Sequence, residues 1–454
     1  MGCAPRLNRW IGPRDRPPPF RGAPTDSRRR TMETTTLTAP ARSIDERRPE
    51  DYPGADELVR RARALIPLIR EHSQESEDLT TFPVALREKF IENDLYRLYV
   101  PTRYGGFEET PRNFMRVVME IARGDMSTGW SFALTANHAL QIGSWFPEAA
   151  QDMVFGAGDF RAAANYLPTL TAKKVDDGWR IDGTVQYCSG LPHSTYFMGQ
   201  TVLEGENPDG SPRYGIIIAP RDSWTIDDDW GRTLGLRSTG SNTVRFDGGV
   251  IPHELLIEDA NMVDYVNPDG SPGWHLTGNP LYAGRHFVIF QMSIASAAVG
   301  GAFSALDEFA RQMDEKRVSH PPFDLRHDDP DYQRYYGLAY SKLRMARAAI
   351  LAVADEHLAL CKRVAVGEAE YREADDHRIS AIAREAMILA WEVTEEYLFR
   401  NIGASSIERT ERFERQFRDL AQGTTHRFVM LRDALSRNVA QDLLANPALA
   451  GELP

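Results

Sequence analysis

The feature of this sequence that most restricts its fold is a β-rich segment enclosed between two long helical segments. Apolar residues recur at steps of three and four over residues 55–96 and 114–142, which predicts helices. Apolar and polar residues mostly alternate over residues 179–187, which predicts a half-buried strand. Helical patterns return after a Pro- and Gly-rich link and continue to about residue 445. We therefore predict an α+β protein with three ordered domains, at 51–156 (helical), 157–262 (β) and 263–454 (helical).

The first 50 residues do not share this patterning. They contain Pro17–Pro19, Arg28–Arg30 and a run of threonines, with almost no apolar periodicity. Such a segment cannot bury enough apolar surface to offset the entropy that is lost on ordering. We predict that residues 1–50 form a disordered arm.

One stretch, Phe287–Leu306, carries no formal charge and is long enough to span a bilayer. It also contains Gly300, Gly301 and several serines, which is typical of a helix that is buried on all sides in protein. We therefore predict a core helix at a subunit contact, and no membrane association.

Charge and cysteine content exclude several classes of function. The chain has 53 Lys and Arg against 65 Asp and Glu, without a basic stripe, so we expect no nucleic-acid partner. Its three cysteines, Cys3, Cys188 and Cys361, lack Cys-x-x-Cys spacing, which supports neither a disulfide framework nor a zinc site. We expect a cytoplasmic protein without a metal site, in which Cys188 is a small buried residue. No Gly-rich dinucleotide or phosphate-loop motif is present.

Five short motifs stand around the β-rich segment. They are Asp125–Trp130 (DMSTGW), Tyr187–Gly190 (YCSG), Gly235–Ser241 (GLRSTGS), Gly403–Ser406 (GASS) and Phe417–Leu420 (FRDL), the last followed by His426. In this order, over residues 50–445, the chain resembles the acyl-CoA dehydrogenase fold superfamily. It is most similar to the oxygenase components of two-component flavin-dependent monooxygenases, such as the p-hydroxyphenylacetate and 3-hydroxy-9,10-seconandrostatriene-dione hydroxylases. The resemblance implies a small, β-barrel-like central domain and a C-terminal four-helix bundle.

The resemblance also implies a function. A separate flavin reductase supplies reduced FMN or FAD, which reaches the chain by diffusion. The chain then uses O2, through a C4a-hydroperoxyflavin, to hydroxylate an aromatic, phenolic substrate. Several families of this fold are tetramers with shared flavin sites, so we expect a homotetramer. Three alternatives stay open: oxygenation of nitrogen or sulfur through the same intermediate, an acyl-CoA dehydrogenase-type flavoenzyme, and a catalytically silent binding protein on the same fold.

The dehydrogenase alternative requires a carboxylate base on one of the late helices. Glutamates are available there, at Glu395, Glu396, Glu408, Glu411 and Glu414. The segment after the Gly403 turn, however, reads Ala-Ser-Ser-Ile and lacks the Tyr-Glu-Gly of the usual catalytic position. This absence, together with His426, favours oxygenation.

His426 is the predicted catalytic residue. If residues 413–435 form one helix, the apolar residues share one face, and His426 lies opposite them with Asp419, which is typical of a solvated polar face. Gly423 weakens such a helix by roughly 1 kcal/mol, which suggests that something else approaches closely there. In the related oxygenases a histidine seven residues after the Arg-Asp pair acts near the substrate, and His426 stands seven residues after Asp419. We expect its imidazole to take the phenol proton.

The resemblance assigns the remaining site residues. Ser189 is expected to act in catalysis, with its hydroxyl near N5 and C4a of the flavin. Substrate contacts are expected from Asn137, His138 and Arg237, and His138 is favoured because neighbouring helical residues cannot both face one site fully. Flavin contacts are expected from Trp130, Ser189, Gly190, Ser241 and Arg285. Arg285 is expected to reach a flavin phosphate of a neighbouring subunit.

Overall fold

The computed structural model describes residues 49–267 and 270–447. The predicted arm, except residues 49 and 50, lies outside this range. The N-terminal part is helical, as the apolar periodicity predicts. Its helices are α1 (Ala55–Ala64), α2 (Ile66–Glu71), α3 (Ser73–Asp78), α4 (Val84–Glu92), α5 (Pro111–Gly124), α6 (Met126–Ala136), α7 (His138–Trp145) and α8 (Glu148–Phe155).

A side-chain cap fixes the start of α6. Asp125 Oδ2 accepts hydrogen bonds from the N–H and the hydroxyl of Thr128, both at 2.8 Å. Such a cap satisfies N–H groups that the first turn of a helix leaves unpaired. All 11 residues of α6 are buried, so this helix runs through the core. Within the helical pattern predicted over residues 114–142, α6 ends at Ala136 and α7 begins at His138, with Asn137 between them.

The β-rich segment forms one seven-stranded sheet. Its strands are β1 (Ala162–Val175), β2 (Gly178–Val185), β3 (Tyr196–Glu206), β4 (Pro212–Pro220), β5 (Thr225–Ile226), β6 (Val244–Ile251) and β7 (Leu256–Glu258). The strand order is β5-β6-β2-β1-β3-β4-β7, and only the β1–β3 pair is parallel. The last residue of β2 pairs with the first residue of β6. The loop after β2 and the loop before β6 therefore leave the sheet side by side.

The C-terminal part is helical again. Its helices are α9 (Pro272–Thr277), α10 (Phe287–Glu315), α11 (Pro330–Ala365), α12 (Glu373–Val393), α13 (Arg400–Ile402), α14 (Arg412–Gly423), α15 (Arg427–Met430) and α16 (Arg432–Ala445), with a π-helical turn at Thr394–Phe399. The short α9 lies inside the segment that the sequence indicates only as a link.

Helix α10 contains the uncharged stretch and extends beyond it. It is long and apolar enough to cross a membrane, but 78% of its most apolar window is buried in protein. A Cβ added to Gly300 would lie 2.5 Å from the carbonyl oxygen of Met119 in α5. A Cβ added to Gly301 would lie 2.9 Å from the Cβ of Met126 in α6. The prediction of a core helix with closely packed neighbours is confirmed, and its subunit contact stays a prediction.

The helix assumed over residues 413–435 is three helices. Residues 424–426 separate α14 from α15, so the helical wheel does not hold across the whole range. Leu431, placed on the apolar face by that wheel, is 42% exposed. Asp419 is only 2% exposed, so it does not lie on a solvated polar face.

Candidate active site

Helix α6 is the element on which the predicted site residues meet. Trp130 is buried, and its indole packs edge-on against the imidazole of His426, with 5.4 Å between ring centroids. Phe290 of α10 also packs against this imidazole, at 6.0 Å. Further along α6, Thr135 contacts the loop after β2, where a Cβ on Gly190 would come within 2.2 Å of its methyl carbon. This close approach, together with a φ of 78°, explains the glycine.

His426 caps α15 with its own side chain. Its Nδ1 accepts a hydrogen bond from the N–H of Phe428 at 3.2 Å. An imidazole nitrogen that accepts a hydrogen bond carries no proton, so the neutral ring has its proton on Nε2. Burial lowers the pKa of His426 to about 4, which keeps the ring neutral at pH 7. His426 therefore offers a hydrogen-bond donor at Nε2. The base role expected from the sequence would require Nδ1 to give up its hydrogen bond with the N–H of Phe428.

The two loops at the sheet end join through hydroxyl groups. The N–H of Gly190 donates to the carbonyl oxygen of Thr239 at 2.8 Å, which holds the loops together. The Ser189 and Ser241 hydroxyls are 2.8 Å apart, and the latter is 2.6 Å from the Thr239 hydroxyl. The structure thus brings Ser189, Gly190 and Ser241 into one polar cluster. Hydroxyls of this kind rotate to donate or accept as a ligand requires.

Asp419 ties the loop before β6 to helix α6. Its Oδ1 accepts from the N–H of Leu236 at 2.6 Å, and its Oδ2 accepts from the hydroxyl of Ser127 at 2.7 Å. Leu236 has a φ of 52°, a conformation that costs on the order of 1 kcal/mol and needs such support. Burial, and then repulsion from Asp125, raises the pKa of Asp419 to about 7. The carboxyl group therefore acts mainly as a fixed hydrogen-bond acceptor.

Asn137 and His138 are both buried but point to different elements. The Asn137 amide donates to the Ser293 hydroxyl of α10 at 3.2 Å. The Nδ1 of His138 lies 2.7 Å from the carbonyl oxygen of Ala162 in β1 and must donate to it. In the neutral ring the acceptor is then Nε2, the opposite of His426. Burial lowers the pKa of His138 to about 4.

Buried polar atoms without a hydrogen-bond partner line α6, α7 and α10. Within the described ranges they include Ser131 Oγ, Asn137 Oδ1, Gln141 Oε1, Ser296 Oγ and Ser304 Oγ. Buried polar groups are nearly always paired, so this set indicates where polar atoms of a ligand are expected. Together with the Ser189–Ser241 hydroxyls and the Trp130 ring, it fits a flavin, which has flat aromatic faces and a polar edge.

Arg237 and Arg285 do not join this cluster. Arg237 Nη1 lies 3.1 Å from the Glu77 carboxylate, and its Nε donates to a backbone carbonyl at 2.9 Å. Arg285 is paired with Asp376 of α12 and donates to the carbonyl oxygen of Asp264 at 3.3 Å. The substrate role of Arg237 and the flavin-phosphate role of Arg285 stay predictions.

Sequence reasoning did not assign Phe290 or the loop-binding role of Asp419. The uncharged stretch of α10 does not indicate which face of the helix meets His426, so no sequence pattern marks Phe290 as a site residue. Asp419 could have been singled out, because it lies in the motif Phe417–Leu420, between aromatic residues and the histidine. Cys188 is fully buried, and burial raises the pKa of its thiol to about 12, as expected of a small buried residue.

Family models match both helical parts of the chain. The acyl-CoA dehydrogenase N-terminal domain matches residues 56–151, and the acyl-CoA dehydrogenase C-terminal domain matches residues 292–430. Together they cover more than half of the chain and flank the sheet.

Similar proteins narrow the assignment. The oxygenase subunit HsaA of a flavin-dependent monooxygenase from Rhodococcus jostii is 26% identical over 371 residues, which are 81% of this chain and 93% of that protein. The oxygenase component of p-hydroxyphenylacetate 3-hydroxylase from Acinetobacter baumannii is 23% identical over 210 residues, covering 46% of this chain and 48% of that one. The crystal structure of 3-HSA hydroxylase from Rhodococcus sp. RHA1 matches with a TM-score of 0.76 at 25% identity, over 86% of this chain and 98% of that one. This chain belongs to the acyl-CoA dehydrogenase superfamily, in its branch of flavin-dependent monooxygenase oxygenase components.

Proposed function

We propose that this chain hydroxylates a phenolic aromatic substrate with O2 and a reduced flavin, FMN or FAD, that a separate reductase supplies. The observation that carries the proposal is the neutral, capped imidazole of His426 between the rings of Trp130 and Phe290. Reduced flavin, when bound, supplies the electrons with which one oxygen atom of O2 enters the substrate and the other leaves as water. The protein then has to orient the substrate, exclude water and hold protons at defined atoms.

We assign complementary roles to the two histidines. His426 donates from Nε2 to the substrate oxygen, which orients the aromatic ring and stabilises negative charge on that oxygen. His138, whose Nε2 is an acceptor, is the better candidate to receive the phenol proton. Asn137 Oδ1, which has no hydrogen-bond partner within the described residues, is a second candidate acceptor.

The residues of the loop cluster and α6 face the flavin in this proposal. The hydroxyls of Ser189 and Ser241 and the backbone of Gly190 meet its polar edge, and Trp130 packs against its ring. Asp419 keeps Ser241 in place by holding the same loop at Leu236.

The geometry of the candidate site does not support the dehydrogenase alternative. Its five candidate glutamates are exposed or partly exposed, and Glu414 is bound to Arg418 at 2.5 Å. A base that removes a proton from a buried substrate needs a buried and unpaired position.

We also propose a homotetramer that receives reduced flavin by diffusion in the cytoplasm. Apolar side chains exposed on the late helices support an interface between copies, among them Met345 (63%), Met430 (72%) and Leu444 (82%). Light scattering tests this: a mass near 51.1 kDa, that of one chain, would contradict the tetramer.

The proposed reaction is tested by isotope incorporation. Purified protein is mixed with chemically reduced FMN or FAD, a panel of phenols and ¹⁸O2, and products are analysed by mass spectrometry. We expect one ¹⁸O atom per hydroxylated product, and none when the label is in water. Reoxidation of the flavin at its free rate without a labelled product from any phenol would refute the proposal, and bleaching of oxidised flavin by an acyl-CoA would support the dehydrogenase instead.

A further inference from the structure

Arg384 of α12 is a buried cation without a counter-ion. Its side chain is 1% exposed, and its three guanidinium nitrogens, Nε, Nη1 and Nη2, have no hydrogen-bond partner in residues 49–267 and 270–447. The carboxylate of Glu385 is 4.0 Å from Nε and is already bound by Arg432, whose Nε donates to it at 2.9 Å. A buried charge is rarely left unpaired in a folded protein, so an anionic partner is expected here.

The position of Arg384 connects it with the candidate active site. Its guanidinium stacks on the ring of Phe428, with 5.6 Å from its carbon to the ring centroid. The backbone N–H of this same Phe428 holds the ring of His426. One helical turn earlier, Ser380 donates to Gln291, the neighbour of Phe290 on α10. Phe428 therefore contacts both the guanidinium of Arg384 and the ring of His426.

Stacking on Phe428 does not use the N–H donors of the guanidinium. Cation–π contact uses the flat face of the group, whereas its N–H donors point outward in the plane. Two parallel N–H groups match the two oxygens of a carboxylate. A phenolic acid presents such a carboxylate at a distance from its hydroxyl that the length of its side chain sets.

We propose that Arg384 binds a carboxylate on the aromatic substrate, so that the substrate class is phenolic acids. The inference rests on the proposed function, because it takes the aromatic ring to lie beside His426. It names the end of the substrate that does not react. Burial lowers the pKa of Arg384 from its usual value, as expected when no anion is present to offset desolvation.

The test compares acids with their own amides. Three pairs serve as probes: 4-hydroxybenzoate, 4-hydroxyphenylacetate and 3-(4-hydroxyphenyl)propionate, each with its amide. Calorimetry on the flavin-free protein is expected to show that at least one acid binds about tenfold to one-hundredfold more tightly than its amide. Arg384→Met, which keeps much of the side-chain length, is expected to abolish this preference and leave amide affinity unchanged. Arg437→Met is the matched control, since it removes an exposed guanidinium from α16, the helix that packs against α12, and the preference should persist in it.

Three results would overturn the inference. They are equal affinity of the wild type for every acid and its amide, a preference that survives in Arg384→Met, and a loss of FMN affinity in Arg384→Met with an unchanged acid-to-amide ratio. The last result would assign the guanidinium to the flavin phosphate. Folding is checked by thermal unfolding, where Arg384→Met should be at least as stable as the wild type because it removes an uncompensated charge. Failure of the proposed reaction is seen separately, as an absence of ¹⁸O in every acid and every amide with the wild-type protein.

Discussion

Asp419→Ala is the sharpest perturbation of the candidate site, because one side chain holds both the loop before β6 and helix α6. The substitution leaves the N–H of Leu236 and the hydroxyl of Ser127 buried without their acceptor. Each of the two unpaired groups costs about 1–3 kcal/mol, so we expect a loss of about 2–6 kcal/mol in the free energy of unfolding. The loop is then also free to relax the positive φ of Leu236 and to move Ser241 away from Ser189.

Asp419→Asn is the matched variant that separates hydrogen bonding from charge. Its Oδ1 accepts from Leu236 and its Nδ2 donates to the oxygen of Ser127, so both bonds are retained. The pKa of Asp419 is raised to about 7, so the carboxyl stabilises the fold below its ordinary pKa near 4, and this contribution is lost as the pH rises through 7. Relative to the wild type, Asp419→Asn should therefore gain stability between pH 6 and pH 8.

Thermal unfolding at both pH values measures this. With an unfolding entropy of about 2 cal/mol/K per residue over about 400 ordered residues, a loss of about 2–6 kcal/mol lowers the Tm of Asp419→Ala by about 2–7 °C. The affinity for reduced FMN should fall in this variant and stay near that of the wild type in Asp419→Asn. Asp433→Ala, an exposed carboxylate on α16, is the control. If Asp419→Ala unfolds like this control, or if Asn is as damaging as Ala, the loop-holding role is refuted.

Further expectations concern the histidines and the helix packing. His426→Asn keeps an acceptor for the N–H of Phe428 but lacks the Nε2–H donor, so turnover should fall at least tenfold with little change in Tm. His426→Ala should lose the same activity and also about 1 kcal/mol of stability, because the helix cap is missing. Equal activity of His426→Asn and the wild type would contradict the donor role. Acid should destabilise the protein, because burial lowers the pKa of three buried histidines to about 4. Their contribution to stability is retained above about pH 6.5 and is lost as the pH falls toward 4, by up to about 3 kcal/mol per ring. These are His138, His193 and His286. Urea unfolding at pH 7, 5.5 and 4.5 measures this loss, and a flat profile would argue against neutral buried rings. Gly300→Ala should destabilise the protein by about 1–3 kcal/mol, because its Cβ would lie 2.5 Å from a backbone oxygen. Gly337→Ala should stabilise the protein by about 0.5–1 kcal/mol, because its Cβ, inside α11, would have no atom within 4 Å. Tm shifts of the same sign in the two variants would contradict this pair of predictions.

Periodicity and motif order were sufficient for the fold, because both depend on local spacing. The change from helical to alternating patterning places the sheet, and the small residues of α10 indicate close packing before any contact is known. The motifs that carry Trp130, Ser189, Ser241 and His426 also converge, since α6 contacts the loop after β2 and the ring of His426, and Asp419 ties the loop before β6 to α6. Their chemical roles stay predictions.

Contacts between distant segments could not be read in the same way. Arg237 and Arg285 carry no mark in the sequence that they meet Glu77 and Asp376, because an ion pair leaves no periodic trace. The orientation of a histidine ring is equally hidden, since it depends on which backbone group lies beside it. Arg384 had a weak signal, as a single arginine among apolar residues on one side of α12.

The interruption between α14 and α15 is what makes His426 a candidate site residue. In a continuous helix from 413 to 435 its ring would lie on the polar face, and its backbone geometry would not allow it to cap the N–H two residues ahead. Helix α14 instead ends at Gly423, where a Cβ would come within 3.4 Å of Met126 and 3.1 Å of Met387. The chain then turns, His426 adopts the extended φ and ψ of an N-cap, and its ring reaches Trp130. The same turn thus ends one helix, begins the next and fixes the tautomer, so the donor at Nε2 follows from the backbone rather than from a neighbouring charged group.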